Sequence, residues 1–386
     1  MKILLIDPRC VDGSNLYFYT TGLVSGLSNG SDVTLVSNYF CELPEKLDCV
    51  HKKWFYPFSQ KMKDGKIRKA LRGVEYIFAY LEVLILASNS KYDVIHIEWP
   101  IVYKLDRIFW SILKQKCKIL SIKAHNILPH STGMRHKDVF ADLYKIADVV
   151  EVHGENMRKE FCCLFPESKD KVIIQRHGIL LNEDVGYNAD KISKEIKETV
   201  EKYNRVYLFC GRIDKDKGVN RLVKIWKSDL QFSGSLLIIA GKKDEAYVEF
   251  ADVENEIRSC KNLIYLPGFI DRDTFNYLMS NSSLIVLPYL RGSMSGVAFT
   301  AACFSKPILS TIFGVIEEYI TDGKNGFLVN NDDQALKEKL LDIDCYTTNV
   351  ELQNVGVLMR ESFIKNYSWD KIGEKLMQCF VMETNR

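Results

Sequence analysis

The sequence predicts an α/β protein made of two doubly wound parallel-sheet (Rossmann-like) domains facing across a cleft. Three observations carry that expectation. Short apolar runs alternate with amphipathic stretches along most of the chain, which is the βαβ rhythm of a parallel sheet. The rhythm stops once, over a polar and highly charged segment from Leu181 to Lys202, and then restarts. The length of 386 residues is too great for one ordinary α/β core and suits two.

The elements follow in order. An apolar strand, Lys2 to Asp7, leads through a polar turn, Pro8 to Asn15, into a helical stretch from Leu16 to Leu27. A second strand, Asp32 to Val36, comes next, and further strands are expected at Val94 to Ile97, Ile119 to Ile122, Val149 to Val152 and Val172 to Ile174. Beyond the charged break the strands are Val206 to Cys210, Ser235 to Ala240, Leu263 to Leu266, Leu284 to Leu287, Pro307 to Ser310 and Gly326 to Val329. The break places one domain at 1–183 and the other at 203–365. Ligands of such sheets bind at the carboxyl ends of the strands, so the cleft is the expected site.

Composition narrows the function. A formal net charge of +2 argues against nucleic acid as a partner, because general nucleic-acid binding needs a strong basic excess. The eleven cysteines form no CxxC pair and read as thiols of a reducing cytoplasm, not as a disulfide or metal framework. The apolar run Met1 to Asp7 is too short for a signal peptide and ends in an acid. All seven histidines lie at or before His177, so a histidine metal site is not expected in the second half. Three DxD triplets, Asp214 with Asp216, Asp271 with Asp273 and Asp342 with Asp344, fall on unrelated loops among 50 acidic residues, and no metal is expected there.

One region departs from the rhythm. From Lys52 to Arg72 there are eight Lys or Arg residues and one acid, interleaved with Trp54, Phe55, Tyr56 and Phe58. The helical run Val74 to Ala87 that follows is too short to span a bilayer and carries Glu75 and Glu82. Two readings stay open: an anionic membrane surface as partner, or a solvated basic face beside a core helix.

The strongest chemical signal is VYLFCGRIDKDKGVNRLVKIW, Val206 to Trp226. A buried strand ends at Gly211, Arg212 and Lys217 follow, and Gly218 opens a helix with Val219, Leu222, Val223 and Trp226 on one face. Two cations beside a helix N-terminus suit a diphosphate; the bland alternative is a surface turn with ordinary basic residues. A second segment, LIVLPYLRGSMSGVAFTAACFSKPILS, ends a strand at Pro288 and passes through a small-residue loop, Arg291 to Gly296, into a helix. Gly292, Ser293, Ser295 and Gly296 allow close backbone approach of a ligand, or else serve a tightly packed core helix.

With these residues in view, the sequence resembles the GT-B glycosyltransferases, specifically the large retaining family 4. That family shows GRxxxxKG, here Gly211, Arg212, Lys217 and Gly218. It shows a G-x-P strand, here Ser305-Lys306-Pro307, and a GGxxE-xI-xxGxxG run, here Gly314, Glu318, Ile320, Gly323 and Gly326. The strand end Pro267-Gly268-Phe269 looks like the family's base-contacting loop. Ser295 to Val297 resembles the S-G-V variant of polysaccharide-assembly relatives. The tail Tyr367-Ser368-Trp369 resembles the closing helix (366–386) that returns to the first domain. The family's two glutamates fall here at Gly292 and Thr300, neither acidic, which leaves Thr300 as a hydroxyl in place of the ribose-holding carboxylate.

The resemblance implies a metal-independent glycosyltransferase without cofactors, acting with retention on a hexose-type nucleotide-sugar donor. Arg212 and Lys217 would stabilise the leaving diphosphate, and His125 would orient the sugar. Gly13, Gly211, Phe269, Ser295, Gly296, Val297, Thr300 and Glu318 would hold the donor. Glu98 and Asn126 are acceptor-side candidates, against capping or turn-satisfying roles for the same groups. The acceptor would be a glycan or a lipid-linked glycan of polysaccharide or lipopolysaccharide assembly, at the cytoplasmic, inner face of a membrane. Two alternatives stay open: a non-catalytic nucleotide-sugar-binding protein, and an epimerase or phosphorylase with the same cleft. A dinucleotide oxidoreductase is disfavoured, since no GxGxxG follows the first strand.

Overall fold

The computed structural model describes residues 1–12, 15–129, 133–179 and 185–385. The chain divides into two compact units, Met1–Gly178 with Tyr367–Arg386, and Ile179–Asn366.

The first unit runs β1 (Lys2–Asp7), α1 (Asn15–Ser28), β2 (Asp32–Asn38), β3 (Val50–Phe55), α2 (Lys66–Asn89), β4 (Tyr92–Ile97), α3 (Tyr103–Lys114), β5 (Cys117–Lys123), α4 (Lys137–Ile146), β6 (Val149–Val152), α5 (Glu155–Leu164) and β7 (Val172–Ile174). Its seven strands are parallel, in the order β3-β2-β1-β4-β5-β6-β7. Ile3, Leu4, Leu5 and Ile6 of β1 are wholly buried, as expected for a central strand covered on both faces. Strand β3 was not expected. Its sequence, VHKKWF, sets two lysines before two aromatic residues and lies half-exposed at the sheet edge, where lysines discourage pairing with another chain. Helix α2 also begins earlier than expected, at Lys66, and runs for 24 residues.

The second unit contains α6 (Lys194–Glu201), β8 (Arg205–Cys210), α7 (Val219–Lys227), β9 (Ser235–Gly241), α8 (Phe250–Arg258), β10 (Leu263–Pro267), α9 (Arg272–Asn281), β11 (Leu284–Leu287), α10 (Gly296–Cys303), β12 (Ile308–Thr311), β13 (Phe327–Val329), α11 (Asp333–Tyr346) and α12 (Asn349–Tyr367). Its six strands are parallel, in the order β10-β9-β8-β11-β12-β13. The charged break is not a free tether over its described residues. The Asn188 amide donates to Asp273 at 2.7 Å, Asn276 Nδ2 donates to the Gly186 carbonyl at 2.7 Å, and Lys191 pairs with Asp273 at 2.9 Å. Polar side chains bind this segment to α9, which an apolar-run reading cannot detect.

The last helix, α13 (Trp369–Thr384), packs on α1 in the first unit. The Trp369 ring joins Tyr19, Leu23, Leu376 and Phe380 in the core. At the crossing the two backbones nearly touch: a Cβ on Gly373 would lie 2.1 Å from the Gly26 carbonyl oxygen. Gly73 in α2, by contrast, has open space where its Cβ would be. The two positions should respond oppositely to alanine. Gly373→Ala should lower stability by about 1–3 kcal/mol through forced separation of the helices. Gly73→Ala should raise it by about 0.5–1 kcal/mol through backbone entropy. Urea unfolding followed by tryptophan fluorescence checks both signs.

Candidate functional site

In the second unit, β8 and β11 are neighbours whose chain connections lead to opposite sides of the sheet, which creates a crevice at their carboxyl ends. The turn after β8 fills one side of it. Gly218 has φ +66°, and a Cβ there would lie 1.9 Å from the Pro288 carbonyl oxygen, so only glycine fits. Asp214 accepts from the Asp216 and Lys217 amides at 3.0 and 3.2 Å, and the Leu290 amide donates to the Asp216 carbonyl at 2.8 Å. The turn and the loop after β11 are therefore one hydrogen-bonded assembly.

Two cations emerge from it. Arg212 is exposed, with Nε 2.8 Å from Asp214 Oδ2 and Nη1 3.8 Å from Asp244. Lys217 is half-buried, its Nζ 3.7 Å from the centre of the Tyr289 ring, and burial pushes its pKa down to about 8. A Cβ on Gly211 would lie 3.9 Å from the Val297 side chain, so the first turn of α10 adjoins the end of β8. Ser295 is buried and its hydroxyl makes no capping bond to α10, while Gly296 has open space on its Cβ side. Thr300 gives its hydroxyl hydrogen to the Gly296 carbonyl at 3.2 Å. Glu318 is half-buried in the turn after β12. Phe269 is 82% exposed beyond β10.

In the first unit the carboxyl ends of four adjacent strands carry polar residues at i and i+2, which puts each pair on one sheet face. They are His96 with Glu98, Lys123 with His125, Glu151 with His153, and Gln175 with His177. Glu98 is wholly buried, accepting from His96 Nε2 at 2.8 Å and from His125 Nε2 at 2.6 Å. Burial alone would raise its pKa, but bonds from His125 and His96 outweigh that and hold it far below the usual carboxylate range. His96 Nδ1 lies 3.2 Å from Glu151. Burial would push His96 down, yet Glu151 and Glu98 on either side raise it to about 10, so this ring is an imidazolium.

His125 differs. Burial lowers its pKa despite Glu98, with Lys123 and Arg9 adding to the lowering, so the ring is neutral. An ionised Glu98 can only accept, so His125 carries its hydrogen on Nε2 and leaves Nδ1 as an acceptor. The Nε2–H of His153 occupies that acceptor at 3.2 Å. Trp99 stacks on the His125 ring at 4.0 Å, with the Arg9 guanidinium 4.2 Å over the indole. Arg9, Trp99, Lys123, His125 and Asn126 share a cavity of about 120 Å³. Lys123 is buried, donates to the Gln175 carbonyl at 2.7 Å, and is lowered by burial to about 8. Buried Asp7 is raised to about 7 by burial and by Glu98.

The structure thus joins Glu98 directly to His125, and separately gathers Gly211, Arg212, Lys217, Ser295, Gly296 and Val297. Gly13 lies outside the described residues. Sequence reasoning missed Arg9, Trp99, Lys123, Glu151 and His153; the repeated polar i, i+2 pairs at the strand ends were the available signal. Several DxD aspartates have structural partners: Asp271 caps α9 through the Thr274 amide at 3.0 Å, and Asp344 accepts from Tyr207 and Ser235.

Residues 204–343 match the family described as Glycosyl transferases group 1. The second unit carries a group 1 glycosyltransferase domain. Over its whole length the chain is similar to the uncharacterized glycosyltransferase MJ1607 of Methanocaldococcus jannaschii, at 24% identity covering 98% of both chains. It is also similar to an uncharacterized 41.2 kDa protein in the cps region of Klebsiella pneumoniae, at 23% identity over 68% of this chain and 72% of that one. Among solved structures, Anabaena HepE in complex with UDP and glucose superposes with a TM-score of 0.71 at 16% identity, covering 99% of this chain and 100% of HepE. The fold is therefore GT-B.

The charged histidine yields a test with a definite sign. A folded pKa near 10 against an ordinary 6.5 means that His96 stabilises the fold fully below pH 6.5 and loses that contribution as pH rises through 10. The stability gap between wild type and His96→Gln should therefore be largest at pH 6.5 and shrink by pH 10 in urea unfolding.

Proposed function

We propose that this glycosyltransferase moves a hexose-type sugar from a nucleotide-sugar donor to a glycan or lipid-linked acceptor in surface-polysaccharide assembly, with retention of anomeric configuration. The observation that carries the reading is the Arg212–Lys217 pair on a glycine-dependent turn at the carboxyl end of β8. The glycosidic bond to the diphosphate breaks while a bond from C1 to the acceptor oxygen forms. The acceptor's proton passes to the leaving phosphate oxygen, so the step calls for no separate base. Arg212 exchanges Asp214 for phosphate, and Lys217 and the first amides of α10 meet the remaining charge.

Phe269 stacks on the base, while Thr300 and Glu318 face the ribose. On the first unit, a sugar hydroxyl replaces His153 as donor to His125 Nδ1, with Glu98 fixing the tautomer. Glu98 is then a positioning residue, and Asn126, in the same cavity, faces the acceptor. The Klebsiella relative's place in a cps region supports the polysaccharide context, and the UDP and glucose of HepE support the donor class. On this proposal the enzyme works at the cytoplasmic, inner face of a membrane.

Three measurements test this reading. Arg212→Ala should lower turnover of the nucleotide-sugar donor by roughly 10²–10³ with the unfolding midpoint unchanged; near-normal turnover contradicts the assignment. UDP affinity should fall above pH 8 by up to about tenfold per pH unit as Lys217 loses its proton, and Lys217→Arg should flatten that slope. Turnover should persist in excess EDTA, because the proposed charge neutralisation uses Arg212 and Lys217.

A further inference from the structure

Helix α2 is built inside out. Its buried face carries Glu75, Tyr76, Ala79, Tyr80, Val83 and Ala87, while Val74, Ile77, Phe78, Leu81 and Ile85 face solvent. Phe78 is 63% exposed and Ile85 61%. Glu75 is not a surface charge: it accepts from the Phe58 amide at 2.7 Å and from the Ser59 amide, holding the preceding loop to the helix. Phe58, thus fixed, is itself exposed, as is Ile67 in the first turn. The connections β3 to β4 and β4 to β5 both cross right-handedly in the same direction, so α2 and α3 cover the same sheet face. Helix α3, packed beside α2, exposes Ile108 and Ile112.

Charge decides what covers this face. The segment 52–72 holds eight Lys or Arg residues and one acid. Arg68 pairs with that acid, Asp64, Lys53 pairs with Glu42, and Arg72 lies over Tyr56. Lys63, Lys66 and Lys69 are exposed and have no carboxylate partner among the described residues. Glu82 is the one exposed acid on α2. A second copy laid antiparallel on the stripe would set the lysine-rich end of each α2 against residues 85–89 of the other, which contain no acid. An anionic surface answers both the apolar stripe and the lysines at its end.

We propose that α2, with the exposed isoleucines of α3, docks this protein on an anionic phospholipid surface. Phe78, Leu81 and Ile85 enter the headgroup boundary, and Lys63, Lys66 and Lys69 meet the lipid phosphates. The helix is about 36 Å long at 1.5 Å per residue and lies along the surface without crossing it. No helix among the described residues is long and apolar enough to cross a membrane. The inference deepens the lipid-linked acceptor reading and rests on it for its purpose, but not for its test.

The test is sedimentation of the full chain with vesicles of equal parts phosphatidylglycerol and phosphatidylcholine, against phosphatidylcholine alone. Wild type should bind the mixed vesicles and be released by high salt. Phe78→Glu with Leu81→Glu should abolish binding. Lys66→Ala with Lys69→Ala should weaken it roughly 30-fold, about fivefold for each lysine. All four side chains are solvent-exposed, so both variants should keep the wild-type unfolding midpoint and UDP affinity. Absence of wild-type binding, or equal binding by the glutamate variant, overturns the proposal. A concentration-dependent dimer that the glutamate variant dissolves also overturns it, making the stripe a self-association face. The assay contains no donor or acceptor, so docking and transfer fail separately.

Discussion

The first unit depends on one buried carboxylate. Glu98 has no access to water, and leaving it unpaired there would cost several kcal/mol. Two histidines on two strands remove that cost by donating to its two oxygens. One consequence is structural: β4 and β5 are tied at their carboxyl ends by charge as well as by their ladder. The other is chemical. The carboxylate fixes which nitrogen of His125 carries hydrogen, and so which one is left to accept. His96 is doubly protonated between Glu98 and Glu151, so the same cluster holds a charged histidine beside a neutral one.

On the proposed reading the second unit solves a different problem. A diphosphate requires positive charge that is present before the ligand arrives. Arg212 is parked on Asp214 at the surface, where an ion pair is weak and easily exchanged. Lys217 holds its Nζ over the Tyr289 face, with Asp214 and Asp216 near enough to favour its charge against burial. The backbone contact at Gly218 fixes where both cations emerge. On the proposed reading one unit supplies electrostatic grip and the other supplies oriented hydrogen-bonding groups.

Much of this was legible in the sequence. The central strands announce themselves as continuous apolar runs, and the GRxxxxKG turn carries both its cations and its glycines in seven consecutive steps of chain. What the sequence hid has physical causes. Strand β3 looks basic because its lysines guard a sheet edge. The segment before β8 looks like a tether because much of its hold on α9 is polar, through Asn188, Lys191 and Asn276. The role of Glu98 depends on a histidine 27 residues away on the neighbouring strand, a relation set by strand order that no local pattern contains. In α2 the periodicity is plain, but the apolar side faces water and the tyrosines face inward, so amphipathicity alone misassigns the buried face.

The central claim is a division of labour, with nucleotide binding in the second unit and sugar orientation in the first. Calorimetric titration of UDP into wild type, Arg212→Ala and Glu98→Gln tests it most directly. The account predicts that Arg212→Ala loses most of the affinity while Glu98→Gln binds UDP like wild type. Equal loss in both variants, or undiminished binding by Arg212→Ala, would contradict it.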